Sequence, residues 1–136
     1  MNLHASAVAF EKKAVLILGP SGSGKSTLAL GLIALGGQLV ADDRCLLSLR
    51  GGALFAEAPE TLSGKIEARG FGILAATPAE ATEVTLAVDL AANETERLPP
   101  FRETALLGVT LPLVLGPLRP GFEAAVRQYL MAGRLL

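Results

Sequence analysis

The sequence of 136 residues contains one cysteine, no tryptophan and only 4% aromatic residues. A single cysteine, Cys45, excludes an internal disulfide framework and favours a reducing, cytoplasmic setting. The uncharged stretch at residues 105–118 contains two prolines, and it is shorter than the roughly 20 apolar residues that cross a bilayer. We therefore expect neither a disulfide-stapled scaffold nor a membrane protein.

The charge of the chain is nearly balanced, and its apolar content is high. Twelve Lys and Arg residues against 13 Asp and Glu residues give a net charge of −1, which predicts no attraction to nucleic acid or to an anionic membrane. Hydrophobic residues make up 51% of the chain, enough for a packed aliphatic core. We expect a single domain over residues 1–136.

Hydrophobic patterns predict an α/β domain: a mixed β-sheet with flanking helices. Strands are expected at residues 6–10, 14–18, 39–41, 45–49, 53–56 and 85–89, with one or two more within 106–115. Helices are expected at residues 25–35 and 121–136. Residues 58–72 and 91–100, which are rich in turn-forming and polar residues, are predicted to be mainly loop.

A complete Walker A pattern, G-x-x-x-x-G-K-[ST], lies between an apolar strand and a helix. Backbone amides of such a loop and the positive end of the helix that follows bind phosphate groups, while the lysine adds a cation and the serine hydroxyl suits Mg²⁺. We predict that ATP with Mg²⁺ binds there. The predicted nucleotide-binding residues are Gly19, Pro20, Ser21, Gly22, Ser23, Gly24, Lys25, Ser26 and Thr27.

Two acidic residues, Asp42 and Asp43, follow the strand that comes after the first helix. Ligands of open α/β sheets bind at the carboxyl ends of the strands, so these carboxylates are candidates for holding a metal or accepting the proton of an attacking hydroxyl. Three further features are weaker candidates by themselves. Glu67 and Arg69, a carboxylate and a guanidinium two residues apart, could serve metal and phosphate. The others are the lone His4, and Arg97 in a polar loop.

Taken together, these clusters resemble the HPr kinase/phosphorylase family. The resemblance rests on His4, GPSGSGKS at 19–26, LVADDR at 39–44 and IEARGFGI at 66–73, and it corresponds to the family's C-terminal catalytic half. It implies a P-loop domain related to phosphoenolpyruvate carboxykinase that assembles as a hexamer. It also implies an ATP-dependent serine kinase acting on HPr, a phosphocarrier protein of the phosphotransferase system in carbon catabolite regulation.

The resemblance also implies a role for each candidate residue. Ser26 and Glu67 correspond to Mg²⁺ ligands, and Asp43 to the proton acceptor for the serine hydroxyl, with Asp42 beside it at the metal or the base. The remaining implied catalytic residues are His4, Lys25 and Arg97.

Two departures from the family pattern affect the predicted activity. The family's His-Gly is replaced by His4-Ala5, and its basic R-P-G-R-N loop by Arg119-Pro120-Gly121-Phe122, which lacks the second arginine. We therefore expect kinase activity to dominate over phosphorylase activity. Two alternatives stay open, a P-loop kinase with another acceptor and a non-catalytic ATP-binding regulatory module. A motor ATPase is not expected, because no apolar strand ending in a distant acidic residue is evident.

Overall fold

The computed structural model describes residues 1–136 and contains eleven strands and two α-helices. The strands are β1 (Asn2–Leu3), β2 (Ser6–Phe10), β3 (Lys13–Leu18), β4 (Gln38–Ala41), β5 (Cys45–Arg50), β6 (Ala53–Glu57), β7 (Lys65–Ala68), β8 (Gly72–Ala75), β9 (Thr82–Asn93), β10 (Arg102–Leu106) and β11 (Val109–Gly116). The helices are α1 (Lys25–Ala34) and α2 (Phe122–Ala132), with a 3₁₀ turn at Glu60–Leu62. Neither helix has the length and apolar composition needed to cross a bilayer.

Nine of the strands form one mixed sheet, which confirms the predicted α/β class. Strand β2 pairs antiparallel with both β3 and β4, so β3 and β4 run in the same direction. Strand β9 is parallel to β3 and to β11. The carboxyl ends of β3, β4, β9 and β11 therefore lie along one edge of the sheet, together with the start of β2.

Strand β9 curls the sheet because it has two partners on one side. Its first residues pair with β6, through Thr82 and Glu83, while its second half pairs with β11 from Ala87 onwards. The sheet branches at this strand, and β10 and β11 form a separate arm. Along β2, alanines occupy one face of the sheet, where Ala7 and Ala9 belong to one buried core cluster.

Successive side chains of the central strands point to opposite faces of the sheet, and this divides the core into two layers. On β2 and β3, Val8, Phe10, Val15 and Ile17 face the helices, where they pack with residues of α1 and α2. The intervening alanines and Leu16 face the other side and pack with residues of β5, β6 and β11. Both helices therefore cover the same face of the sheet.

The single cysteine belongs to the second layer. Cys45 is fully buried, and burial raises the pKa of its thiol to about 12. The thiol is therefore protonated at neutral pH, and Cys45 packs as a small apolar group.

The predicted loop at residues 58–72 is wrong in its second half. Strands β7 and β8 form a hairpin there, a separate two-stranded sheet closed by a turn. Each strand has only four residues, too few to give a clear alternating pattern. The segment that follows the hairpin is attached to the edge of β4, where the backbone N–H of Ala79 donates to the carbonyl oxygen of Leu39 at 2.8 Å, and β7 packs against α1.

Two expectations for β9 also require correction. The strand extends to Asn93, into the predicted loop at 91–100, because its second half is covered by β11. It is also an apolar strand that carries a distant acidic residue, Asp89, in register with Leu18 at the end of β3. The Asp89 carboxylate accepts a hydrogen bond from the backbone N–H of Ala91, and it does not line the cavity that contains the Walker lysine.

Candidate functional site

The Walker loop joins β3 to α1 at the edge of the sheet where the carboxyl ends of the parallel strands meet. The ammonium group of Lys25 is buried and folds back over the loop, donating hydrogen bonds to the carbonyl oxygens of Gly19 at 2.8 Å and Pro20 at 3.0 Å. The backbone N–H of Ser23 donates to the same Pro20 oxygen at 3.1 Å. These bonds hold the loop in a tight curve around one point.

Two glycines are required by this curve. Gly24 has a φ of +103°, and a Cβ at this position would lie 2.5 Å from a methyl carbon of Leu118. Gly19 has a φ of +146°, and a Cβ there would lie 2.5 Å from the hydroxyl oxygen of Ser23. Any other residue at these positions would have both a strained backbone and a side-chain clash. The geometry of the loop therefore explains why the motif has glycine there.

Asp42 is the centre of a buried hydrogen-bond network. Its Oδ1 accepts hydrogen bonds from the hydroxyl groups of Ser6 and Ser26, both at 2.8 Å, and its Oδ2 accepts the backbone N–H of Glu67 at 3.1 Å. Asp42 is only 7% exposed. It therefore connects β2, α1, β4 and β7, and it positions the Walker serine.

Asp43 differs from its neighbour in backbone conformation and in exposure. Its φ is +68°, and the backbone N–H of Arg44 donates to the carbonyl oxygen of Asp42 at 2.8 Å, so Asp43 is the middle residue of a tight three-residue turn. Its side chain is 65% exposed, and one carboxylate oxygen is bonded to Nε2 of His4. The strained turn presents a carboxylate held by a single partner to the solvent side of the site.

The candidate residues line one open cavity of about 280 Å³. His4, Asp43, Glu67, Lys25, Ser26 and Thr27 all contribute to its wall, as do Ser21, Gly22 and Gly24 of the loop. The structure thus brings together nine positions of four sequence clusters that are up to 63 residues apart along the chain. Gly19, Pro20 and Ser23 do not line the cavity, and the hydrogen bonds of the loop connect them to one another and to Lys25.

The oxygen atoms in this cavity fit Mg²⁺. Ser26 and Glu67 contribute a hydroxyl and a carboxylate to the wall, and the carboxylate of Asp42, which is not in the wall itself, is bonded to the Ser26 hydroxyl. Mg²⁺ in phosphoryl-transfer sites takes one or two carboxylates together with waters and substrate phosphates, so this donor set suits it. No group of three or more His, Cys, Asp and Glu side chains is arranged as a complete metal cage.

Outside the loop, two candidates do not line this cavity. Asp42 is buried and reaches the cavity wall through its hydrogen bond to Ser26. Arg97 is not among the lining residues either. It lines a second cavity of about 210 Å³, at the same edge of the sheet, which is also lined by Arg102, Arg119 and Arg134. Arg102 makes a bidentate pair with Glu94, with N···O distances of 2.8 and 3.0 Å. Hydrogen bonding to Arg102 lowers the pKa of Glu94 to about 2, and the same pair raises the pKa of Arg102 above its ordinary value.

The Glu94–Arg102 pair should make stability depend on pH in acid. Because the folded pKa of Glu94 is lowered from 4.5 to about 2, the pair stabilises the folded chain above pH 4.5, and this contribution is lost as the pH falls towards 2. The measurement is the free energy of unfolding against pH for the wild type and Glu94→Gln. The difference between them should shrink across this window, whereas Glu60→Gln, at an exposed carboxylate without an ion pair, should give no such difference. A constant difference for Glu94→Gln would contradict the expectation.

One residue of the site, Ser6, was not selected from the sequence, and Arg69 was selected only as a weak candidate beside Glu67. Ser6 is fully buried and bonds to Asp42, and the only signal for it is a hydroxyl at the start of an otherwise apolar strand. Arg69 lies in the turn after β7, lines the cavity and makes no ion pair. A Cβ built on Gly22 would lie 3.7 Å from Nη2 of Arg69, so this guanidinium lies directly over the Walker loop.

Comparison with known proteins places nearly the whole chain in one family. The sequence pattern that defines the HPr serine kinase C-terminal domain matches residues 1–128 of the chain. The chain belongs to this family. Among curated members, the HPr kinase/phosphorylase of Brevibacillus brevis is 36% identical over 125 residues, which is 82% of this chain and 40% of that protein. That of Geobacter sulfurreducens is 32% identical over 151 residues, covering 97% of this chain and 47% of that protein.

The chain therefore spans less than half the length of these members of the HPr serine kinase C-terminal domain family. Its fold is also similar to a solved structure, that of the Hpr(Ser) kinase/phosphatase from Coxiella burnetii, with a TM-score of 0.78 and 30% identity. The alignment covers 95% of this chain and 90% of that one. The family and the mixed α/β fold with a curled sheet are thus both established.

Proposed function

We propose that this chain is an ATP-dependent serine kinase and that its acceptor is an HPr-type phosphocarrier protein. The observation that carries the proposal is the placement of one exposed carboxylate, Asp43, in the same cavity as the Walker residues Lys25 and Ser26. A phosphate-binding loop beside an accessible base is what phosphoryl transfer to a hydroxyl requires. Membership of the HPr serine kinase C-terminal domain family supports the choice of acceptor.

Asp43 is the proton acceptor in this proposal, and Asp42 is not. The oxygens of Asp42 already accept three hydrogen bonds, and the side chain is buried. Asp43 is exposed and bonded only to His4, so an incoming serine hydroxyl can reach it. His4 fixes the orientation of the Asp43 carboxylate, as a partner of the base does in other acid–base sites.

The transfer step follows from this arrangement. The serine oxygen bonds to the γ-phosphorus as the bond between that phosphorus and the β,γ-bridging oxygen breaks, and Asp43 takes the hydroxyl proton. Lys25 and the loop amides hold the phosphate chain in line with the serine. Ser26, Asp42 and Glu67 would hold Mg²⁺, which, when bound, neutralises phosphate charge. A protein acceptor suits the open cavity, in which His4 and Asp43 are both solvent-accessible.

The direct test is incubation of the chain with ATP, Mg²⁺ and purified HPr, followed by mass spectrometry. We expect one phosphoserine on HPr, with one ADP released for each phosphate transferred. Serine peptides, sugars and nucleosides serve as competing acceptors in the same assay. If one of these molecules were phosphorylated and HPr were not, the acceptor would be of that class and the proposal of HPr would be wrong. ATP binding without any transfer would favour a regulatory module.

Arg69 should steady the transferring phosphoryl group more than Arg97 does, because Arg69 lies over the Walker loop while Arg97 lines the second cavity. We expect Arg69→Ala to lower the rate of transfer roughly 100-fold or more. This is the usual loss of rate when one hydrogen-bond donor to the charge that develops in the transition state is removed. Arg97→Ala is the matched variant, measured under saturating ATP and HPr. A larger loss in Arg97→Ala would mean that its loop closes over the Walker loop during the reaction.

The remaining properties of the proposal come from the resemblance and are open to separate tests. They are a P-loop core related to that of phosphoenolpyruvate carboxykinase, a single kinase domain over residues 1–136, a cytoplasmic location and a homo-hexamer. Sedimentation of the purified chain measures the oligomeric state. Kinase activity should dominate, so phosphoserine-HPr with inorganic phosphate should yield pyrophosphate slowly, if at all.

A further inference from the structure

Phe71 is the only one of the five phenylalanines whose ring has no arginine against it. The other four rings each have a guanidinium carbon within 5.2 Å of the centroid, and these residues are Phe10, Phe55, Phe101 and Phe122. Phe71 is 84% exposed, although water is a poor environment for a phenyl ring. A ring left free in this way beside a ligand cavity is available to a ligand.

The backbone around Phe71 keeps this ring in the open. The turn between β7 and β8 is closed by a hydrogen bond from the N–H of Phe71 to the carbonyl oxygen of Ala68 at 3.0 Å. Gly70 and Gly72 on either side have φ values of +83° and +123°, with no atoms within 4 Å of where their Cβ atoms would be. Nothing therefore covers the ring, and it lines the same cavity as Lys25.

The cavity wall contains large apolar side chains as well as polar ones. Ser26 lies in the first turn of α1, where its hydroxyl donates to Asp42. Leu30, which is four residues further along α1 and about 6 Å away by the helical rise, lines the cavity and is 37% exposed. Phe71, in the turn after β7, lines the same cavity.

A nucleotide bound by the Walker loop has a fixed direction in this cavity. Its γ-phosphate faces Asp43, where the acceptor hydroxyl enters, and the loop holds the phosphates behind it. The nucleoside therefore extends from the other end of the phosphate chain. The large apolar side chains that the cavity wall offers to it are those of Leu30 and Phe71.

We propose that Phe71 stacks against the base of the bound nucleotide, with Leu30 forming the apolar wall beside it. This inference rests on the nucleotide binding of the proposed function, and it adds a base-binding residue to it. Every base has a π face, and stacking on an aromatic side chain tolerates any of them. The site should consequently accept nucleoside triphosphates with different bases, ATP and GTP among them, with similar affinity.

Calorimetry with two ligands separates the base from the phosphates. Phe71→Ala should weaken the binding of Mg-ATP roughly fivefold to a hundredfold, the range of one base–aromatic stack, and leave the affinity for magnesium tripolyphosphate unchanged. Phe71→Tyr should restore ATP affinity. Phe101→Ala, at an exposed phenylalanine outside the cavity, is the matched control and should bind both ligands as the wild type does.

A fluorescent variant gives an independent readout, because the chain has no tryptophan. The fluorescence of Phe71→Trp should be quenched by ATP and by GTP to saturation, but not by tripolyphosphate, and that of Phe101→Trp should not respond. Unchanged ATP affinity in Phe71→Ala would overturn the proposal. If this variant instead raised only the KM for HPr, the ring would contact the acceptor protein and the inference would again be wrong.

The outcomes also distinguish this inference from the proposed function. If ATP binding depends on Phe71 while no acceptor is phosphorylated, the stacking stands and the kinase assignment fails. If HPr is phosphorylated at the normal rate and affinity for ATP is independent of Phe71, the kinase stands and the stacking fails. If the wild type binds neither ATP nor tripolyphosphate, both are wrong.

Discussion

Replacing Asp43 by asparagine should lower the rate of phosphoryl transfer roughly 1000-fold or more while Mg-ATP still binds. The amide cannot accept the serine proton, and the combined loss of the base and of its positioning accounts for a change of this size. Asparagine also tolerates the positive φ of this position, so the fold should be unaffected. Single-turnover transfer to HPr and calorimetry with ATP measure the two quantities separately.

Asp89→Asn is the matched control for this variant. Asp89 lies at the same edge of the sheet, in register with the last residue of β3, but outside the cavity. Its amide variant should transfer phosphate at the wild-type rate. Full activity in Asp43→Asn, or an equal loss of activity in Asp89→Asn, would mean that Asp43 is not the proton acceptor.

The same position also tests whether the site stores backbone strain. A left-handed conformation costs a residue other than glycine of the order of 1 kcal/mol, and Asp43→Gly removes that cost. The exposed pair with His4 contributes less than about 1 kcal/mol in return. Asp43→Gly should therefore be inactive but at least as stable as the wild type in urea unfolding, and a clear loss of stability would contradict the strain.

Replacing Lys25 by methionine should produce the second large effect, a loss of Mg-ATP affinity of roughly 10- to 100-fold together with loss of transfer. This is the range expected when one charge-assisted hydrogen bond to an anion is removed. Methionine keeps the buried aliphatic stem of the side chain, so α1 should still form, and circular dichroism provides the check. Calorimetry with ATP measures the affinity.

Lys65→Met is the control that isolates the role of the site lysine. Like Lys25, Lys65 donates from Nζ to a backbone carbonyl oxygen, that of Thr61 at 3.1 Å, but it is exposed and lies outside the cavity. It should bind ATP as the wild type does. Wild-type affinity in Lys25→Met would mean that the Walker loop does not hold the phosphates.

Local patterns predicted the elements whose residues are close in sequence. Strands β2, β3, β5 and β6 and the helix at Lys25–Ala34 all follow from runs of apolar residues, and the turn between β5 and β6 follows from its two glycines. The hairpin of β7 and β8 did not, because strands of four residues carry too little periodicity and are stabilised by packing on α1. The extension of β9 likewise depends on a partner, β11, that lies 20 or more residues further along the chain.

The sequence by itself determined the phosphate-binding loop and the acidic pair, because each consists of residues that are adjacent in the chain. It also determined the family, because four short motifs and their order can be found without knowing the fold. The tertiary structure decided which of the two aspartates is free to react, since only folding buries Asp42 under three hydrogen bonds and leaves Asp43 exposed. It also brought Arg69 and Phe71 to the Walker loop and left Arg97 in another cavity. Such choices depend on how strands distant in sequence pair, and no local pattern encodes that pairing.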